Sequence, residues 1–293
     1  ITDTATITFT VGAADPTNGN TTLVAAPTSV VADGATTSSV TVTLADANGN
    51  LLTASGGTVA LSSTGSATIG AVTDNGNGTY TATVTNTVAE SVTISGTLDG
   101  AAITDTATIT FTVGAADPTN GNTTLVAAPT SVVADGATTS SVTVTLADAN
   151  GNLLTASGGT VALSSTGSAT IGAVTDNTDG TYTATVTNTV AENVTISGTL
   201  DGAAITDTAT ITFTVGAADR TNSNTTLVAS PTSVVANGST TSSVTVRLAD
   251  ANGNLLSASG GTVALSSTGS ATISAVTDNT DGTYTATVTN TVA

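Results

Sequence analysis

The chain has 293 residues, of which two are basic and 20 acidic, for a net charge of −18. With two Arg and no Lys it cannot neutralise phosphates, which excludes a nucleic-acid binder and argues against docking on an anionic membrane surface. Cys and His are absent, so there is no disulfide framework, and no run approaches the ~20 apolar residues that a membrane-spanning helix needs.

The run Ala5-Thr6-Ile7-Thr8-Phe9-Thr10-Val11 alternates apolar residues with Thr, the period of a strand buried on one face. Short strands follow at Leu23–Ala25 and Ser29–Ala32, then a longer alternation over Val40-Thr41-Val42-Thr43-Leu44. Thr58–Ser62, Thr68–Val72, Tyr80–Val84 and Val92–Ile94 are the remaining strand segments. Branched Val and Thr side chains suit a pleated surface. Asp33-Gly34, Asn48-Gly49, Gly56-Gly57, Asn75 to Gly78 and Asp99-Gly100 interrupt the strands with residues that adopt the positive φ of tight turns. No segment has a 3.6-residue apolar period, so no helix is expected.

The opening Ile1-Thr2-Asp3-Thr4-Ala5-Thr6 returns at Ile103 and at Ile205, a period of 102 residues. That is too long for a solenoid unit and fits one small domain per repeat. Residues 1–15 read as the last strand of a preceding repeat, 16–117 and 118–219 as complete repeats, and 220–293 as a repeat that stops early, without a counterpart of Glu192 to Val215. About seven short strands in each repeat predict an antiparallel β-sandwich. Phe9 and Tyr80, Phe111 and Tyr182, and Phe213 and Tyr284 are expected to anchor the cores, because aromatics bury the most area. Arg247 replaces Thr43 and Thr145 and is expected on the outward face. Residues 1–11 are also expected to exchange into another copy, supplying the missing last strand of its truncated repeat.

No catalytic or cofactor-binding residue is assigned. His, Cys and Lys are absent, and the only Glu residues, Glu90 and Glu192, stand at equivalent places in separate repeats, whereas a glycosidase needs carboxylates about 5–10 Å apart. Calcium is the cation to consider, since hard oxygen ligands are plentiful. Asp46-Ala47-Asn48-Gly49-Asn50 begins like an EF-hand loop but has Gly fourth, Leu51 sixth and no Glu twelfth, so it reads as an Asx-assisted turn. The expected calcium ligands are instead at the repeat junctions: Asp15, Asp117 and Asp219 in the Ala-Ala-Asp linkers, joined by Asp99 and Asp201 from nearby loops. Ordinary solvated loop acids are the alternative.

Thr22-Leu23-Val24-Ala25-Ala26-Pro27, Val31-Ala32-Asp33-Gly34 and Val40 to Asn50, followed by Gly78-Thr79-Tyr80-Thr81-Ala82 and Thr97-Leu98-Asp99-Gly100, resemble the bacterial immunoglobulin-like domain of the invasin/intimin type over essentially every residue of each complete repeat. The resemblance implies an all-β chain of tandem immunoglobulin-like sandwiches on a bacterial cell surface, each repeat partnered by its neighbours in the chain. It also implies a stalk that carries a binding domain outward. A ligand-binding adhesion module, or a structural repeat of a phage or surface-layer protein, are the other readings. Hot spots favour Trp, Tyr and Arg, and this chain has no Trp and only three Tyr and two Arg.

Overall fold

The structure, a computed structural model, describes residues 2–293. Ile1, the first residue of the segment expected to exchange between copies, lies outside them. The described residues form two compact units, one running to Thr123 together with Leu146–Gly158, the other comprising Thr124–Thr145 and Gly159–Ala293.

In the first unit the alternating runs become β1 (Thr22–Ala26), β2 (Ser29–Val31), β3 (Ser38–Thr43), β4 (Val59–Ser63), β5 (Thr68–Ile69), β6 (Thr73–Asp74), β7 (Thr79–Thr85), β8 (Ser91–Leu98), β9 (Ala101–Ala102) and β10 (Ala107–Thr112). No helix forms among the described residues. One sheet has the order β1-β3-β7-β5, with β6 also on β7; the other has the order β2-β10-β8-β4, with β9 also on β8. This is an immunoglobulin-like sandwich. All pairings in it are antiparallel except β2 with β10, which run parallel with Ser29 opposite Thr110 and Val31 opposite Thr112.

The predicted strand Thr68–Val72 is split. Ile69 pairs with Val84 and Thr73 with Thr81, so three residues on one strand face two on the other. That extra residue is a β-bulge, and the chain bends there. Gly70 occupies the bulge, with Oγ1 of Thr83 only 2.7 Å from where its Cβ would be.

Leu23, Val40, Val42, Leu44, Val84, Ile94, Ile109 and Phe111 fill the space between the sheets. The Thr residues between them lie on the outer faces, as the alternation requires. Tyr80 is also buried, and its hydroxyl donates to the Gly57 carbonyl at 2.7 Å and accepts from the Gly56 amide at 3.0 Å. The aromatic pairing therefore differs from the sequence expectation. Tyr80 shares its core with Phe111 rather than with Phe9, which is 90% exposed. The reason is register within the repeat: the Phe strand closes the sandwich that the preceding Tyr strand began.

Residues 2–13, whose pattern matches β10, form no strand. β10 is held between β8 and β2, and residues 2–13 have neither neighbour among the described residues. The second unit repeats the two-sheet arrangement with Phe213 buried in the same way. It also holds the third repeat, in which only the first sheet forms, from Thr226–Ser230, Ser242–Arg247, Thr272–Ile273, Thr277–Asp278 and Thr283–Thr289. Leu227 there is 62% exposed, where its counterpart Leu23 is 2% exposed, because no second sheet covers it among the described residues. Residues 1–11 of another copy would restore the role of β10 in that repeat but not that of β8, its central neighbour. Arg247 lies exposed on the outer face.

Candidate functional site

The segment Asp46-Ala47-Asn48-Gly49-Asn50 follows β3 and closes on itself. Oδ1 of Asp46 accepts from the amides of Asn48 and Asn50, both at 2.9 Å, and the Gly49 amide donates to the Asp46 carbonyl at 2.8 Å. Gly49 has φ of +82°, a left-handed conformation that glycine adopts without strain. The Asn50 side-chain amide reaches both carboxylate oxygens of Asp46, and the Gly12 amide donates to Oδ2 at 2.9 Å. Asp46 is 3% exposed, yet its charge is fully partnered. The Asn50 side chain first, then the Gly12 and Asn50 amides, lower its pKa to about 2, because each donor favours the ionised form.

The same turn at Asp148–Asn152 does more. It lies in the first unit, against the far end of the first sandwich. Asn150 Nδ2 donates to the Ala32 carbonyl at 2.9 Å, and Asn152 Nδ2 donates to the Thr87 carbonyl at 2.9 Å. The Ala89 amide donates to Asn152 Oδ1, and the Gly114 amide to Asp148 Oδ2, each at 2.9 Å. One loop of the second repeat thus grips two segments of the first, at Ala32 and at Thr87 to Ala89, and the linker that leaves it at Gly114. In the second unit, Asn252 donates to Ala134, Asn254 donates to Thr189 and accepts from Ala191, and Asp250 accepts from Gly216, again all at 2.9 Å. Burial raises the pKa of Asp148 and Asp250, but the Gly114 or Gly216 amide and the Asn152 or Asn254 side chain outweigh it, and both carboxyls end below their ordinary value. Net hydrogen bonds contribute about 1 kcal/mol each, more when one partner is charged.

The invasin domain 3 model matches residues 15–114, 119–216 and 221–293. The chain belongs to the invasin domain 3 family. Its fold is similar to that of FdeC, an Escherichia coli adhesin, with 26% identity and a TM-score of 0.56 over 97% of this chain and 92% of that one. It is also similar to InvD of Yersinia pseudotuberculosis, with 31% identity and a TM-score of 0.54 over 81% of this chain and 72% of that one. These invasin domain 3 repeats are accordingly tandem immunoglobulin-like domains of the bacterial adhesin type.

Within these repeats the five aspartates expected to bind calcium sit in separate turns. Oδ1 of Asp15 accepts from the amide and hydroxyl of Thr17 at 2.8 and 2.7 Å. Asp117 and Asp219 bind Thr119 and Thr221 in the same way. Asp99 accepts from the Thr58 amide and Asp201 from the Thr160 amide, each at 2.8 Å. Among the described residues no three carboxylates converge as a metal-holding group. Glu90 is likewise engaged within its own repeat, accepting from the Ser66 amide at 2.6 Å and from the Asn86 side chain at 2.9 Å. The clamp residues Asn150, Asn152, Asn252 and Asn254 were visible in the sequence only as turn formers. Their acceptors, such as the Ala32 and Thr87 carbonyls, are backbone groups that leave no side-chain pattern to read.

Proposed function

We propose that the chain is a spacer segment of a bacterial surface adhesin, displayed outside the cell, whose repeats hold a distal binding region away from the surface. The observation that carries this reading is the clamp. Both joints between consecutive repeats are closed by the same side-chain-to-backbone hydrogen bonds at the same distances. A joint repeated without change at successive steps suits an array of spacers. The surface composition supports the same reading. All three Tyr side chains are buried, and Trp is absent, so the residue types that dominate binding hot spots are scarce outside. The carboxylates serve turns rather than a reaction, which favours a non-enzymatic role.

Two measurements on the 293-residue chain test this. Labelled chain is expected to show no saturable binding to epithelial cells or extracellular matrix, and saturable binding would establish a recognition module instead. The distance distribution from small-angle X-ray scattering should change when Asn152→Ala and Asn254→Ala are combined. An unchanged distribution would remove the clamp as the basis of the spacer.

A further inference from the structure

The sequence Asp-Ala-Asn-Gly-Asn-Leu-Leu occurs three times without change, at 46–52, 148–154 and 250–256. The backbone of each turn is held alike, with the glycine amide donating to the aspartate carbonyl at 2.8, 2.9 and 3.0 Å. The side chains of the two asparagines differ in what they reach, and the difference that matters here is at the asparagine before the glycine. Asn150 Nδ2 is fixed on the Ala32 carbonyl and Asn252 Nδ2 on the Ala134 carbonyl, whereas Asn48 meets no such acceptor among the described residues.

Asparagine followed by glycine is the dipeptide most open to deamidation, because glycine leaves the attack unhindered. The glycine nitrogen gives up its proton to solvent and attacks Cγ of the asparagine. The new C–N bond closes a five-membered imide, and Nδ2 departs as ammonia. Water then opens the imide at either carbonyl, leaving an aspartyl or isoaspartyl residue. Cγ must rotate over the glycine nitrogen for this to happen, and a side chain docked through Nδ2 cannot rotate until that bond breaks.

We propose that Asn150 and Asn252 are conditional deamidation sites, protected while their joints are closed and converted once a joint opens. The conversion would be one-way in its effect. The product has no N–H to donate to Ala32 or Ala134 and places a carboxylate against a carbonyl oxygen, so the joint cannot reclose as before. The Asn77-Gly78 turn shows the opposite case. Asn77 uses its oxygen, accepting from the Thr79 amide and hydroxyl at 3.1 and 2.7 Å. The equivalent Asp179 accepts from Thr181 in the same way, at 3.0 and 2.6 Å. Where oxygen makes the contact aspartate already serves; in the clamp the contact is made by nitrogen.

The test is peptide mapping by mass spectrometry of the whole chain after incubation in mildly alkaline bicarbonate, folded and in urea. In the folded chain Asn48 is expected to deamidate at least about fivefold faster than Asn150 or Asn252, the factor supplied by one hydrogen bond worth about 1 kcal/mol. In urea the three rates should converge, since their local sequences are identical. Asn152→Ala, which loosens the first joint only, should bring Asn150 toward the rate of Asn48 and leave Asn252 unchanged. Equal rates at the three sites in the folded chain, or no response of Asn150 to Asn152→Ala, would overturn the proposal. These rates depend on the loop geometry alone and would stand even if the spacer reading failed.

Discussion

Replacing Asn152 by Ala separates the joint from the turn that forms it. Asn152 gives a hydrogen bond to the Thr87 carbonyl, takes one from the Ala89 amide, and spans both oxygens of Asp148. Asn50 makes the same contacts to Asp46 but none to a preceding repeat among the described residues. The loss common to Asn50→Ala and Asn152→Ala is the donor to the carboxylate. The excess in Asn152→Ala is the two contacts across the joint, about 2 kcal/mol at about 1 kcal/mol each. Amide hydrogen exchange reads this directly, because the Ala89 amide is bonded to Asn152 Oδ1. Local opening free energies set exchange rates, so about 2 kcal/mol corresponds to roughly 30-fold faster exchange at Ala89. The equivalent amide of Ala191, which rests on Asn254, serves as the internal control and should not change. Unaltered exchange at Ala89, or an equal rise at Ala191, would refute the reasoning.

Phe111→Ala is expected to destabilise the first sandwich by about 3–5 kcal/mol in urea unfolding, the usual range for removing a core Phe. Phe9→Ala, at a side chain 90% exposed, should leave the same transition where it was. The acid limit follows from Asp46 and Asp135, each lowered from 3.8 to about 2, by Asn50 and Thr138 respectively as the largest cause. A carboxyl whose pKa is depressed on folding contributes stability that is complete above its unfolded value and is lost as pH falls through its folded value. The melting temperature should therefore hold down to pH 3.8 and drop between there and about 2; a decline beginning near neutral pH would contradict this. Melts in millimolar calcium and in EDTA should coincide, because the five aspartates Asp15, Asp117, Asp219, Asp99 and Asp201 sit in separate turns; a lower melting temperature in EDTA would instead show that the chain binds calcium.

The strand faces were legible because burial on one face of a sheet imposes a period of two. Val40, Val42 and Leu44 are fully buried as their alternation with Thr demands, and Arg247 stands where a charge is tolerated. Alternation alone did not reveal which strands have neighbours. The segments Ala5–Val11 and Ala107–Val113 carry the same pattern, yet only the second is flanked by β8 and β2 and becomes a strand. The bulge at Gly70 was hidden because an extra residue is defined by the partner strand, here the two residues between Thr81 and Val84, and not by the segment itself. The turn at Asp46–Asn50 was recognisable from Asp, Asn and Gly. Its extension at Asp148–Asn152 into a joint was not, since it rests on carbonyls whose position depends on the completed sandwich.

The parallel pairing of β2 with β10 bears on how a repeat withstands tension. The chain enters the sandwich at β1 and β2 and leaves it from β10, so a pull on the two ends drags β2 and β10 in opposite directions along their length. The bonds between them, from the Thr110 amide to the Thr28 carbonyl at 2.9 Å and from the Ala32 amide to the Thr112 carbonyl at 2.8 Å, are then loaded in shear. Bonds loaded that way share the force and must fail together, whereas a hairpin pulled at its open end unzips one rung at a time. In both complete sandwiches, where this parallel pairing occurs, the strand order thus sets a lengthwise pull against bonds in shear.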